Sequence, residues 1–261
     1  MTARHPARPG HRATRTALAS AALVTLAVVA TGCELTEKVT ESEQTYTVDG
    51  KTTKLDVSTP GGDIKVIADD AAEGRVKVTE RIEYGKKKPG TRHSLKDGAL
   101  KLAADDCGRT MSRCNVAYEV RVPRSVAVTL RTDGGNIDIT GIAGTVDTRT
   151  GGGNINVRQT AGTLTTETSG GDINISDAQG KQATLSTDGG TVDARFTAVP
   201  DQVNAHSSGG DVTVRLPQGR YAVDATTDGG NRRVTGSVDN AAPHKIKVHS
   251  DGGNVEVAAD R

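Results

Sequence analysis

The sequence predicts an all-β, single-domain β-solenoid of about 18–20 residues per coil, opened by a less regular β region. Three observations lead there. First, a pattern recurs at Thr59, Thr132, Thr150, Thr168, Thr187, Ser207, Thr227 and Ser250: Ser/Thr, any residue, Gly-Gly, usually Asp or Asn, then two aliphatic residues one apart. From Thr132 onward the spacings are 18, 18, 19, 20, 20 and 23 residues, and a period near twenty marks stacked coils. Second, apolar and polar residues alternate on both sides of each copy, as in strands with one buried face. Third, aromatic residues are 2% of the chain and Trp is absent, so aliphatic columns and backbone ladders must supply the core.

Residues 1–32 precede the fold. Arg4, Arg8, Arg12 and Arg15 form a basic leader, and Ala17–Ala30 is an apolar run of 14 residues, short for a membrane span and right for a signal peptide. The run closes on Ala30-Thr31-Gly32-Cys33, which resembles the lipobox of bacterial lipoproteins. That resemblance implies cleavage before Cys33 and diacylglycerol (with an acyl group such as palmitate) on the cysteine, anchoring the chain to the membrane without spanning it. Losing the four leader arginines lowers Lys+Arg from 33 to 29 against 32 Asp+Glu, a net charge of −3. Such a balance gives no reason to expect nucleic acid as a partner. Residues 33–45, polar and free of glycine and proline, are expected as a tether.

Residues 46–257 are expected as the solenoid domain and 258–261 as a tail. In its opening part, Arg75–Tyr84 alternates like a strand, Gly85–Ser94 is a basic, breaker-rich loop containing Lys86-Lys87-Lys88, and Ala99–Ala103 is a short strand. Cys107 and Cys114 are the two cysteines left once Cys33 carries lipid, and in an exported protein they are expected as a disulfide. So short a loop contributes about 2–3 kcal/mol in the chain-entropy picture.

The regular coils follow. Val203/Ala205 and Ile246/Val248 before a corner, and Ile137/Ile139, Ile155/Val157, Ile173/Ile175, Val212/Val214 and Val255/Val257 after one, point inward. The apolar phase shifts by one residue across each corner. The glycines there are therefore expected to supply positive φ: Gly61, Gly62, Gly134, Gly135, Gly152, Gly153, Gly170, Gly171, Gly189, Gly190, Gly209, Gly210, Gly229, Gly230, Gly252 and Gly253. Two prolines stand alike, in Val120-Arg-Val-Pro123 and Val214-Arg-Leu-Pro217, each before a strand that enters a corner. Arg232 occupies a position that is aliphatic elsewhere, so that strand is expected to slip or fray.

No catalytic constellation is legible. GxSxG, HExxH and P-loop patterns are absent, and no helix follows the Gly-Gly pairs to make a phosphate cradle. His206 and His249 share an outward column, but serial stacking places them two coils, about 9.6 Å, apart, too far for one ion. No metal site or cofactor is therefore expected. Asp133, Asp188, Asp228 and Asp251 share the column before the glycines, where Asp is ordinary turn chemistry, although paired carboxylates there could serve a glycan-cleaving enzyme. Thr148/Thr150 and Thr166/Thr168 resemble the threonine arrays of ice-binding solenoids for two coils only.

The recurring T-x-G-G-[DN]-[IV]-x-[IV], with Tyr118-Glu-Val-Arg-Val-Pro123 and the opening Leu55–Ile64, resembles a bacterial domain of unknown function of the DUF4097 type, described as a putative adhesin. The resemblance covers about residues 46–257 and implies a right-handed parallel β-helix-like fold on a cell-envelope protein, with no catalytic residues to carry over. The expectation is an outward-facing scaffold or binding module on the cell membrane, lipid-anchored and non-catalytic. Envelope polysaccharide or a surface protein would be its partner. A glycan-cleaving β-helix and a self-associating structural solenoid are the alternatives.

Overall fold

The computed structural model describes residues 38–72, 74–105 and 114–259. The leader, Cys33 and Cys107 lie outside the described residues, and with them the expectations of cleavage, lipid and the Cys107 end of a disulfide. Cys114 is disulfide-bonded.

Apart from one 3-10 turn at Asp70–Ala72, the described elements are strands. The opening region contains β1 (Thr40–Val48), β2 (Lys54–Thr59), β3 (Ile64–Ala68), β4 (Val76–Tyr84), β5 (Thr91–Lys96), β6 (Ala99–Ala104) and β7 (Cys114–Val122). Corners then join β8 (Ala127–Thr132) to β9 (Ile137–Thr140), β10 (Val146–Thr150) to β11 (Ile155–Arg158), β12 (Leu164–Thr168) to β13 (Ile173–Ala178) and β14 (Gln182–Thr187) to β15 (Val192–Phe196). Three more join β16 (Gln202–Ser207) to β17 (Val212–Leu216), β18 (Tyr221–Thr227) to β19 (Arg232–Thr235) and β20 (His244–Ser250) to β21 (Val255–Ala259). β1 begins six residues before the expected domain start and pairs antiparallel with β4, so the end of the expected tether is sheet. Likewise β5 takes up the end of the expected loop at 85–94, while Lys86–Lys88 are exposed between strands.

Strands before the corners form one sheet and strands after them the other. The first has the order β18-β20-β16-β14-β12-β10-β8-β2-β6-β5, the second β1-β4-β7-β3-β9-β11-β13-β15-β17-β21-β19. Within each sheet, strands of neighbouring coils pair parallel and in register, so the inward column is continuous: Ile64, Ile137, Ile155, Ile173, Val192, Val212 and Val255 lie side by side and are buried. Burying each such side chain contributes about 2 kcal/mol, which is how a core almost free of aromatics holds.

The stack does not follow chain order at its ends. At the carboxyl end β20/β21 inserts between β16/β17 and β18/β19, so the last coil is the penultimate layer. At the amino end β2/β3 likewise lies between the later-formed β6/β7 and β8/β9. Pro123 and Pro217 sit where the chain steps over a layer, from β7 to β8 and from β17 to β18. An extended residue advances about 3.3 Å, so the short segments there can pass a layer of about 4.8 Å.

At each corner one hydroxyl links two coils. Thr150 Oγ1 donates to the Gly135 carbonyl of the preceding coil (2.8 Å) and accepts from the Gly153 amide of its own (3.2 Å). Thr132, Thr168, Thr187, Ser207 and Ser250 repeat both bonds. The Asp/Asn after the glycines accepts from the next coil's backbone, as in Asn154 N to Asn136 Oδ1 at 2.9 Å and Asp172 N to Asn154 Oδ1 at 2.8 Å. The corner glycines are not at positive φ, contrary to expectation; Gly50, Gly74, Gly98, Gly141 and Gly236 are the described glycines that are. What the second glycine provides is room: a Cβ on Gly153 would overlap the Gly135 carbonyl, and Gly171 and Gly190 meet the same obstacle one coil on. The first glycine has more room: Gly134 and Gly152 face open space, while a Cβ on Gly170 or Gly189 would meet the neighbouring coil only at ordinary contact distance.

Candidate functional site

The transposed last coil makes the most concentrated group of chemistry-bearing side chains among the described residues. Because β20 lies directly beside β16, His206 and His249 are register partners on adjacent strands and not two coils apart. Their rings stack with centroids 5.4 Å apart and planes 4° from parallel. Serial stacking would have kept the two histidines too far apart for one ion, and the insertion of β20 beside β16 removes that separation. Among the described residues, His206, His249 and Asp251 form a possible metal-holding group, with one ligand atom from each lying within 4.8 Å of the others.

Each side chain is positioned by regular structure. His206 and His249 stand one residue before Ser207 and Ser250, whose hydroxyls lock their corners, so the imidazoles project from a fixed backbone. His249 is held at both nitrogens: Nδ1 lies 2.8 Å from Thr226 Oγ1 on β18, and Nε2 lies 2.8 Å from Asp251 Oδ1. His206 Nε2 makes a longer contact of 3.4 Å with Ser208 Oγ. Both imidazoles are half-buried and Asp251 is exposed.

Strands β14, β16, β20 and β18 floor a shallow groove of about 690 Å³ whose lining includes Asn204, His206, Asp224, Thr226, Lys247 and His249. A hydroxyl, an imidazole and a carboxylate in hydrogen-bonded sequence also have the order of a nucleophile–base–orienter relay. Here the relay opens on an exposed sheet face: Thr226 and Asp251 are both exposed. Water has free access to it, and the desolvation that strengthens such a relay is missing.

The remaining candidates are scattered by the topology. Of Asp133, Asp188, Asp228 and Asp251, only Asp228 and Asp251 fall on neighbouring coils, through the pairing of β18 with β20. Thr148 and Thr166 point inward and are buried, with hydroxyls lacking a partner among the described residues, so they form no outer array. Arg232 neither slips nor frays its strand: it pairs in register with Val255 on β21. Its coil is the terminal layer, so the inward column ends there in an exposed side chain, with Nε donating to the Ala225 carbonyl of the other sheet at 2.7 Å. The outer face of the second sheet carries a side-chain ladder, Asn174 Nδ2 to Asn156 Oδ1 (3.2 Å) and Asn156 Nδ2 to Asp138 Oδ1 (3.0 Å). Beyond it, Arg215 Nη1 contacts both carboxylate oxygens of Asp193, at 2.7 and 3.0 Å.

A second buried polar group lies at the opposite end. Glu80 on β4, almost fully buried, accepts from Tyr46 OH (2.6 Å), Gln44 Nε2 (2.7 Å) and Thr91 Oγ1 (2.9 Å). Burial, and then the hydrogen bond and negative charge of Glu80, push the Tyr46 phenol far above its ordinary range. Burial and the Glu80 charge also raise Tyr118, whose buried hydroxyl has no partner among the described residues. The sequence hid this group because its members come from β1, β4, β5 and β7, which only the antiparallel cap brings together.

Comparison with known proteins agrees with this architecture. The family model described as Toastrack DUF4097 matches residues 35–258. No curated protein matches. Among solved structures, a protein described as a putative adhesin from Bacteroides fragilis is 18% identical over 88% of this chain and 100% of its own, with a TM-score of 0.50. A putative adhesin from Parabacteroides merdae is 13% identical over 83% of this chain and 95% of its own, with a TM-score of 0.42. A protein described as a putative lipid binding protein from Parabacteroides distasonis is 12% identical over 82% and 96%, with a TM-score of 0.43. With the family model spanning nearly every described residue of a two-sheet, glycine-cornered stack, this chain belongs to the Toastrack DUF4097 family.

Proposed function

We propose that this protein is an outward-facing, lipid-anchored component of the cell envelope whose solenoid acts as a non-catalytic, adhesin-like binding module. The observation that carries the reading is the rigid, in-register polar outer face, seen in the Asp138–Asn156–Asn174 ladder. Side chains hydrogen-bonded to one another at a fixed repeat are already ordered, so a polar polymer or protein surface binds them at little entropic cost. The description of the Bacteroides fragilis protein of like fold as a putative adhesin is in keeping with this. An anchor at Cys33 would leave the groove beside His206 and His249 at the far end of the stack from β1, about 38 Å away across nine layers. Envelope polysaccharide or a neighbouring surface protein is the proposed partner.

The test compares wild type with Cys33→Ala in a bacterial host by detergent phase partitioning and intact mass, then measures retention of each on isolated envelope polysaccharide. Wild type is expected in the detergent phase with the added mass of lipid, and the variant is expected released or unprocessed, both retained by the polymer. Identical soluble, cleaved species would remove the anchor. Release of reducing ends from the polymer would replace the binding module with a glycan-cleaving enzyme.

A further inference from the structure

We propose that His206, His249 and Asp251 bind one divalent transition-metal ion of the zinc, copper(II) or nickel type. Two imidazoles and one carboxylate are the donor set such borderline ions prefer, whereas calcium and magnesium favour all-oxygen sites. The three ligand atoms lie within 4.8 Å of one another. An ion with bonds of about 2.0–2.1 Å in tetrahedral geometry needs its ligands about 3.3 Å apart. Both imidazoles stand on adjacent in-register strands and Asp251 follows His249 by two residues, so the three are within reach. An ion lies near the plane of each ring it binds, so closure requires the His206 ring to turn out of its parallel stack on His249.

The surroundings of His249 match those of a metal-bound imidazole. Such a ring places its second nitrogen on an outer hydrogen-bonding partner, and Thr226 Oγ1 occupies that position 2.8 Å from Nδ1. Without an ion, the Nε2 proton bridges to Asp251 Oδ1 and Thr226 donates to Nδ1. With an ion, the metal takes the place of the bridging proton, that proton moves to Nδ1, and the Thr226 hydroxyl turns to accept it. The imidazole remains neutral and Asp251 remains a carboxylate, so charge and protons balance. His206 Nε2 has only a 3.4 Å contact with Ser208 to give up. Three protein ligands leave a coordination position open, facing the groove. The ion would join β16 to the inserted β20, with Thr226 on β18 as its outer support, and so fasten the transposed coil to the stack.

This inference stands apart from the adhesin-like reading and is tested without it. Full-length protein in detergent is stripped with EDTA and titrated with zinc chloride by calorimetry, and copper(II) loading is followed by electron paramagnetic resonance. One equivalent is expected to bind with a Tm rise of about 5 °C at saturation. The copper spectrum is expected to show coupling to two imidazole nitrogens. His206→Gln, His249→Gln and Asp251→Asn are each expected to weaken binding about tenfold or more, and Thr226→Val about tenfold. A His93→Gln variant is expected to bind like wild type. Variants are compared once their metal-free circular dichroism matches wild type. Should they fail to fold, the wild-type copper spectrum decides, and absence of two-imidazole coupling overturns the proposal. Equal zinc binding by a folded His206→Gln/His249→Gln protein, or no stoichiometric binding at about 100 µM zinc, overturns it as well.

Discussion

The corner hydroxyl and the second corner glycine solve one problem between them. Two backbones approach too closely for a Cβ, and a Thr or Ser hydroxyl bonds the carbonyl and amide that this approach leaves facing each other. The two glycines of one corner therefore differ in what they tolerate. Gly153→Ala forces a methyl against the Gly135 carbonyl and is expected to cost about 3 kcal/mol, an overpacking cost, since backbone cannot yield as a flexible side chain can. Gly152→Ala, with nothing within 4 Å, is expected to stay within about 1 kcal/mol of wild type. Urea denaturation of both single variants checks the contrast. Equal losses would show that backbone conformation, not close approach, selects glycine here. The motif was legible in the sequence, but its reason was not: periodicity counts residues per coil and says nothing of the distance between coils.

At the scale of elements, the antiparallel cap is built around a buried carboxylate rather than a corner. Tyr46 on β1 donates to Glu80 on β4, and their strands pair along their whole length. Gln44, Thr91, Tyr118 and the His93 ring stacked on Tyr46 complete the surroundings. The Tyr46 and Tyr118 phenols hold their protons in the fold at pH values where the unfolded chain, titrating near pH 10, releases them. Stability from these groups is thus fully present below about pH 10 and declines as pH rises further. Tyr46→Phe is expected to lose about 1–3 kcal/mol at neutral pH, because Glu80 forfeits a donor, yet to show a shallower decline between about pH 9.5 and 11.5. Urea midpoints across that range check both parts, and parallel declines would remove the phenol from the account. β1 escaped the sequence reading because Thr40–Thr45 has no apolar alternation; antiparallel pairing with β4 makes it a strand.

For the molecule as a whole, the ends decide whether a stack stops. A solenoid with an open last layer offers unpaired strand edges to another copy. At the carboxyl end that layer is β18/β19, and Arg232 reaches from one sheet to the Ala225 carbonyl of the other across the end of the core. The charge keeps this end wet and discourages a further apolar layer. Arg232→Ile, which continues the column of Val255 and Val212, is expected to give concentration-dependent dimers or larger species by light scattering where wild type stays monomeric. Monomeric behaviour in both proteins would place the block elsewhere, and self-association by wild type would revive the structural-solenoid alternative.

Local chemistry was set by the sequence alone. Alternation of apolar residues, Gly-Gly corners with their Ser/Thr, and a period near twenty residues specify two strands per coil and a parallel stack, since each depends on neighbours within about twenty residues. Which coil lies next to which was decided by the tertiary structure. Repeats this alike are close to interchangeable as neighbours, so no local pattern distinguishes serial stacking from insertion of the last coil between two earlier ones. That exchange of layers turned Arg232 from a buried liability into an end cap. It also brought His206 and His249, 43 residues apart in the chain, onto adjacent strands with their rings stacked.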